Sequence, residues 1–181
     1  MIILFGLAGS GKSTQGQILA KKRGMEWLSV GQVLRNTGEF DSTLKAGKLV
    51  DDDKVIELMN EEIRRIRGEG REIILDGFPR DEYQAEWVAK NVANDISRAV
   101  FIEVPKEELW RRIEERGRAD DTKEAIERRF KIVEENIEKI LEILRGAGVE
   151  IRRISGVGEI PEITARLEEA VFEEKQEEEY N

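Results

Sequence analysis

The 181-residue chain has no cysteine and no histidine. Without cysteine it can build neither a disulfide framework nor a thiolate zinc site. Without histidine it loses the imidazole base and the commonest metal ligand, which excludes a Ser-His-Asp hydrolase and a His-ligated metalloenzyme. Any catalysis falls to carboxylates, lysine, arginine, hydroxyls and backbone amides. Positive charge is in deficit too: 30 Lys plus Arg face 39 Asp plus Glu, a formal charge of −9. That sign opposes phosphate backbones and anionic lipid, so no nucleic acid and no membrane is expected as a partner. Long apolar runs are also missing. The opening Met1–Phe5 stretch has no basic leader and breaks at Gly6, far short of a signal peptide or a membrane span. A soluble, cytoplasmic, monomeric protein is the expectation.

Apolar residues make up 39% of the chain, enough for the core of one domain despite 38% charged residues. Short apolar runs alternate with stretches of helical period. Ile2–Phe5, Glu26–Ser29, Glu72–Leu75, Ala99–Val104 and Glu150–Ile154 have the brevity and β-branched or aromatic content of strands. Asp51–Arg67 places Val55, Leu58, Met59, Ile63 and Ile66 on one face, with three aspartates at its positive end and Gly68 after it. Thr122–Arg145 repeats Ile126, Phe130, Val133, Ile137, Ile140, Leu141 and Leu144 at spacings of three and four. It opens on Asp121-Thr-Lys-Glu124, which has the form of a capping box, and stops at Gly146. The alternation predicts an α/β fold: a three-layer sandwich with a five-stranded parallel sheet flanked by helices. The charge-dense stretch 173–181 reads as a fraying helix end.

Directly after the first strand stands Gly6-Leu7-Ala8-Gly9-Ser10-Gly11-Lys12-Ser13-Thr14, followed by a helical run through Arg23. This is G-x-x-x-x-G-K-[ST] between a strand and a helix, the P-loop context. Glycines let successive amides point inward at phosphate oxygens, and the helix adds its positive end. Lys12 supplies charge to the β and γ phosphates, and Ser13 offers a hydroxyl to Mg²⁺. A Gly-rich turn holding a chance lysine is the bland alternative. At average frequencies it matches the pattern in about one chain of this length in a hundred, before the strand–helix context is counted. Gly9, Ser10, Gly11, Lys12, Ser13 and Thr14 are therefore the expected ATP cradle.

A P-loop defines the ligand and leaves the reaction open. Ile73-Ile74-Leu75-Asp76 ends in a carboxylate at the edge of the sheet, suited to Mg²⁺ or its waters, so Ser13 and Asp76 are the metal candidates. A GTPase would show D-x-x-G here and N-K-x-D later. The chain has Asp76-Gly77-Phe78-Pro79 and no N-K-x-D.

Asp76-Gly77-Phe78-Pro79-Arg80, with Gln84 four residues on, resembles the nucleoside monophosphate kinases, and among them the adenylate kinases most closely. Leu28-Ser29-Val30-Gly31-Gln32-Val33-Leu34-Arg35 is similar to that family's I-S-T-G-D-M-L-R, and Ala46-Gly47-Lys48-Leu49-Val50 to its A-G-K-L-V. Arg116-Gly117-Arg118-Ala119-Asp120-Asp121, with Arg129 beyond, resembles the family's lid run. The likeness extends over roughly residues 1–160. It implies one P-loop kinase domain over 1–181, with a monophosphate-binding arm at about 30–58 and a minimal lid loop at about 116–121. The implied activity is Mg²⁺-dependent transfer from ATP to AMP. UMP or CMP as acceptor, or a nucleotide-binding module without turnover, are the other readings.

Under the resemblance the transfer set is Lys12, Arg80, Arg112, Arg116, Arg118 and Arg129, all planar forks or point charges suited to moving phosphate. Arg112, Arg116 and Gly158 join the cradle on the ATP side. Val30, Gly31, Arg35, Lys48, Leu49, Val50, Gly77, Phe78, Arg80, Gln84, Arg118 and Arg129 make the AMP side. Asp120 and Asp121 read equally as caps and lid ion pairs or as groups with a direct role in the chemistry. Arg64, Arg65, Arg152 and Arg153 read as solvated surface charges. Gln84 can donate and accept together, matching adenine, although cytosine shows a similar pair. Relatives acting on UMP and CMP carry Asn there. Two positions depart from the pattern: Val30 where the family has Thr, and Ser13 where adenylate kinases have Gly. The eleven residues 36–46 make a trimmed arm. No cysteine remains to build a zinc lid.

Overall fold

The computed structural model describes residues 1–117 and 122–173. Five parallel strands form one sheet: β1 (Ile2–Phe5), β2 (Glu26–Ser29), β3 (Ile73–Asp76), β4 (Arg98–Glu103) and β5 (Ile151–Ser155). Their order is β2-β3-β1-β4-β5, with Leu4 opposite both Asp76 and Val100. The three later strands each sit one residue from the expected bounds, the usual latitude of a strand end. β1 and β3 are buried throughout because helices cover both faces, which is why they read as unbroken apolar runs.

Side chains alternate across β1 and define the layers. Ile3 and Phe5 face a core shared with α4 (Asp52–Gly68), α5 (Glu82–Asn91) and α7 (Lys123–Gly146). Ile2 and Leu4 face the other layer, α1 (Lys12–Arg23) and α8 (Ile160–Phe172). Burying each such isoleucine or leucine contributes roughly 1.5–3 kcal/mol. A third cluster joins α6 (Lys106–Arg116) to α7 through Leu109, Ile113, Ile126 and Phe130, with Leu7 and Ala8 packed against it. This cluster sits where the cradle leaves the sheet. The predicted three-layer α/β sandwich is the observed fold.

Local chemistry sets the helix ends. Asp51 caps α4 by accepting from the Lys54 amide at 3.2 Å, and Asp81 caps α5 by accepting from the Gln84 amide at 2.9 Å. The cap of α7 is Thr122, which accepts from the Ala125 amide at 3.2 Å, one residue later than the expected opening at Asp121. Asp120 and Asp121 lie outside the described residues. The arm holds α2 (Val30–Thr37) and α3 (Asp41–Lys45), the latter a single turn, in keeping with its trimmed length. α8 ends at Phe172, and residues 174–181 of the supposed fraying end lie outside the description.

Two arginines are more engaged than solvated charges. Arg153 pairs with Glu103 and Glu138 while stacking over Phe101, and Arg152 pairs with Glu150. Both lie on β5, an edge strand whose charged residues discourage pairing with another chain. Arg65 keeps to the surface, between Glu62 and Glu69. Among the described residues, no helix is long and apolar enough to cross a membrane.

Candidate active site

At the carboxyl end of β1 the chain turns through Gly6, Gly9 and Gly11, all at positive φ, before α1 begins at Lys12. Gly9 shows why a side chain is forbidden: a Cβ there would stand 2.9 Å from the Leu109 carbonyl oxygen. The loop is wedged against α6 and cannot swell. Ser10 is 1% exposed and its hydroxyl has no partner, while Gly6 and Ala8 supply the loop's own lining of the cavity and Thr14 is exposed. Lys12 and Ser13 face it directly. The Lys12 ammonium donates to the Leu7 carbonyl at 3.2 Å, which folds the side chain back across its own loop.

The Ser13 hydroxyl donates to Asp76 Oδ2 at 2.5 Å, and Asp76 is buried at the end of β3. The two proposed metal groups therefore meet, although they lie far apart in sequence. No group of three or more acidic, Cys or His side chains suited to a metal occurs among the described residues. One hydroxyl and one carboxylate match an ion that keeps its waters and takes phosphate oxygens, as Mg²⁺ does. The donor set fits Mg²⁺.

Beyond Asp76 the cavity widens between the arm and α7. Gly31, Arg35, Lys48, Leu49, Gly77, Arg80 and Arg129 line it together with Lys12, Ser13 and Asp76. Five cations thus face one carboxylate: Lys12, Arg35, Lys48, Arg80 and Arg129 against Asp76. Arg80 shows the strain. Its pKa falls to about 10, chiefly through burial; Asp76 opposes the fall while Arg129 and Arg35 deepen it. Its Nε donates to the Gly77 carbonyl at 2.8 Å, which aims the fork. Such a concentration of positive charge in a chain of net negative charge has one natural complement, an anion carrying several charges.

Among the described residues, four expected on the acceptor side do not line this cavity. Val30, Val50 and Phe78 are buried in the core behind it, and Val30 lies beneath Gly77, where a Cβ would approach Val30 Cγ1 to 3.3 Å. Gln84 is 1% exposed and uses both ends of its amide within the protein. Its Oε1 accepts from the Arg80 amide at 2.9 Å, and its Nε2 donates to Asp52 Oδ1 at 2.7 Å. One N–H and one lone pair of the amide remain for a ligand. Asp52 also stands beside Asp81, whose pKa rises to about 6, mainly through burial.

On the opposite side, Arg112 is held by Glu108 at 2.7 Å and by the Gly156 carbonyl at 3.0 Å. This ties α6 to the 156–159 loop, where Gly158 sits at φ +120°. Neither Arg112 nor Gly158 lines the main cavity; both lie on its α6 and α8 flank. Arg116 ends α6, and Arg118 lies outside the described residues.

Sequence reasoning missed an apolar wall. Ile132, Val133, Ile137 and Ile140 of α7 form the side of the cavity facing the arm, and Leu44 of α3 lines it from the arm. The signal was present: Ile132 beside Val133 widens the stripe of α7 beyond what a single core face requires.

The comparisons agree with this geometry. The family model for adenylate kinase matches residues 4–149. The chain is 35% identical to the adenylate kinase of Thermus thermophilus over 185 residues, covering 94% of this chain and 96% of that protein. It is 31% identical to the adenylate kinase of Parabacteroides distasonis over the same shares, and 33% identical to that of Bacteroides fragilis over 87% and 90%. With a P-loop opening into a cation-lined cavity, and with such relatives matched over nearly their whole length, the chain belongs to the adenylate kinase family.

Proposed function

We propose that this chain transfers the γ-phosphoryl group of ATP reversibly to AMP, giving two ADP, with ATP and AMP as its small-molecule partners and Mg²⁺ as its cofactor. The carrying observation is the single cavity in which the P-loop pair Lys12 and Ser13 meets the arginine set Arg35, Arg80 and Arg129. A protein that only bound ATP would have no use for that second set.

The chemistry asks for no proton acceptor. The attacking atom is an oxygen of the AMP phosphate, whose second pKa lies near 6, so it arrives ionised at neutral pH. One P–O bond to ADP breaks as one P–O bond to AMP forms, and the charge is only redistributed. Positioning and neutralisation then do most of the work. Loop amides and Lys12 hold the donor phosphates, and Arg112 with the Gly156–Gly158 turn flanks the donor nucleotide. Arg35 and Arg80 hold the acceptor phosphate, with Gly31, Lys48, Leu49 and Gly77 around it. Arg129 stands where both can be reached. Ser13 and Asp76 would hold Mg²⁺, directly or through water. When bound, that ion neutralises charge on the donor phosphates. By the family resemblance, Arg116 and Arg118 would complete the set.

A coupled assay of ADP formation from ATP with AMP, UMP, CMP or no acceptor tests the reading. AMP should exceed each alternative by at least ~100-fold in kcat/KM, well within the ~10⁴–10⁵ that a hydrogen-bonding site can reach. Equal or better turnover with UMP or CMP would remove the adenine assignment. ATP binding without transfer to any monophosphate would remove the kinase reading.

A further inference from the structure

The arm and α7 meet at a contact in which one partner, Arg128, belongs to no motif. Arg128 Nη1 donates to the Ala46 carbonyl at 2.7 Å, and its neighbour Arg129 donates through Nη2 to the Leu44 carbonyl at 2.8 Å. Both acceptors belong to the last turn of α3 and its cap. A helix end has carbonyls without partners inside the helix, so cationic donors there are doubly suited. The next residue, Gly47, is at φ +65° and lies flush on the first turn of α7: a Cβ there would stand 2.7 Å from the Ala125 Cα. Leu44, Gly47, Lys48 and Leu49 line the cavity from the arm side, and Arg129 lines it from α7. The same contact that closes the arm therefore sets the position of a cavity arginine.

We propose that Arg128 is a positioning residue that latches the monophosphate arm onto α7, so that closing the acceptor pocket and placing Arg129 are one movement. Arg128 itself touches no substrate. It is exposed and does not line the cavity, which separates its role from that of Arg129. In kinases with a long lid, a separate body must swing over the phosphates to exclude water. Here α7 is the fixed half of the closure, and the arm docks directly against it. The inference rests on reading this cavity as the AMP site.

The test combines kinetics with a direct measure of closure. Arg128→Ala should raise KM for AMP about fivefold, the worth of roughly one exposed charge-assisted hydrogen bond. KM for ATP should change by less than about twofold, since uniform loss of fold would move both constants. Arg128→Lys, which keeps one cationic donor, should restore most of the difference. Gly47→Ala should act in the same direction from the arm side. Because both changes break one docking, their combination should fall well short of the product of the single effects. The chain lacks cysteine, so dyes on Lys45→Cys and Glu124→Cys can report the separation of arm and α7 without a background. Arg128→Ala should lengthen that distance with or without nucleotide.

Unchanged dye separation in Arg128→Ala, equal rises in both KM values, or fully multiplicative effects would each overturn the latch. If wild-type protein shows no transfer to AMP while the dye separation still responds to Arg128, the acceptor reading fails and the latch stands. If transfer is normal and the separation is indifferent, the latch alone fails.

Discussion

The donor and acceptor halves of the cavity are built in different ways. The donor half is largely local: nine consecutive residues, Gly6–Thr14, turn at positive-φ glycines and carry Lys12 and Ser13, with α6 behind the loop and Asp76 holding the Ser13 hydroxyl. The acceptor half is assembled. Arg35, Lys48, Arg80 and Arg129 come from α2, the end of the arm, the turn after β3, and α7, and reach one cavity only because the layers pack. A local site tolerates disturbance of the surrounding fold. An assembled site inherits every error in it.

The strongest way to break the comparison is at the donor side. Lys12→Ala should lower kcat by at least ~100-fold with circular dichroism unchanged, the scale for removing one preorganised electrostatic donor. Near-normal turnover would take Lys12 out of the mechanism. At the acceptor side, Arg80→Lys should be nearly as harmful as Arg80→Ala, each losing tens of fold in kcat/KM for AMP, about 2 kcal/mol. Burial already lowers the Arg80 pKa, and an ammonium in that place would lose its proton more easily than a guanidinium. A lysine that recovers most activity would show that charge alone matters, without the planar fork.

Gln84→Ala sharpens the comparison further, because it disturbs base recognition and the assembly together. It removes the acceptor for the Arg80 amide and the donor to Asp52. KM for AMP should rise by the equivalent of ~1–3 kcal/mol, with kcat reduced less. An unchanged KM for AMP would confine Gln84 to a packing role.

The smallest expected effect concerns pH. Asp81 sits beside Asp52, and burial raises its pKa from 3.8 to about 6. A raised acid pKa means that the folded state binds the proton more tightly than the unfolded chain does. The associated stability is therefore present below about pH 4 and is lost as pH rises through 6. Asp81→Asn keeps the cap on α5 and should flatten this part of the profile in urea unfolding between those limits. A variant profile identical to wild type would clear Asp81 of the titration.

The same contrast explains what could be read from residues alone. The P-loop, the five strands and the apolar stripes of α4 and α7 were legible because each is a short-range pattern with a period or a fixed spacing. The arginines of the acceptor side were legible only through resemblance, since nothing near Arg35 or Arg129 in the chain distinguishes them from Arg65. Arg128 escaped because its partner is a backbone carbonyl, which leaves no mark on side-chain identity. Val30, Val50 and Phe78 belong to the right motifs, yet the structure turns them into the core: a motif names a neighbourhood, and packing decides which members face the cavity. The boundary of α7 slipped by one residue because Asp121 and Thr122 are both good caps, and composition cannot rank them.

The apolar wall of α7 ties the protein's history to its stability. Ile137 and Ile140 line the acceptor cavity and also belong to the main hydrophobic core, at 8% and 2% exposure. A lineage drifting toward a larger or differently shaped acceptor would have to trim these side chains, and each isoleucine-to-alanine step would cost about 2–5 kcal/mol of stability. A protein with ~5–15 kcal/mol to lose cannot take many such steps. The shape of this side of the cavity is thus tied to the needs of folding as well as to the reaction.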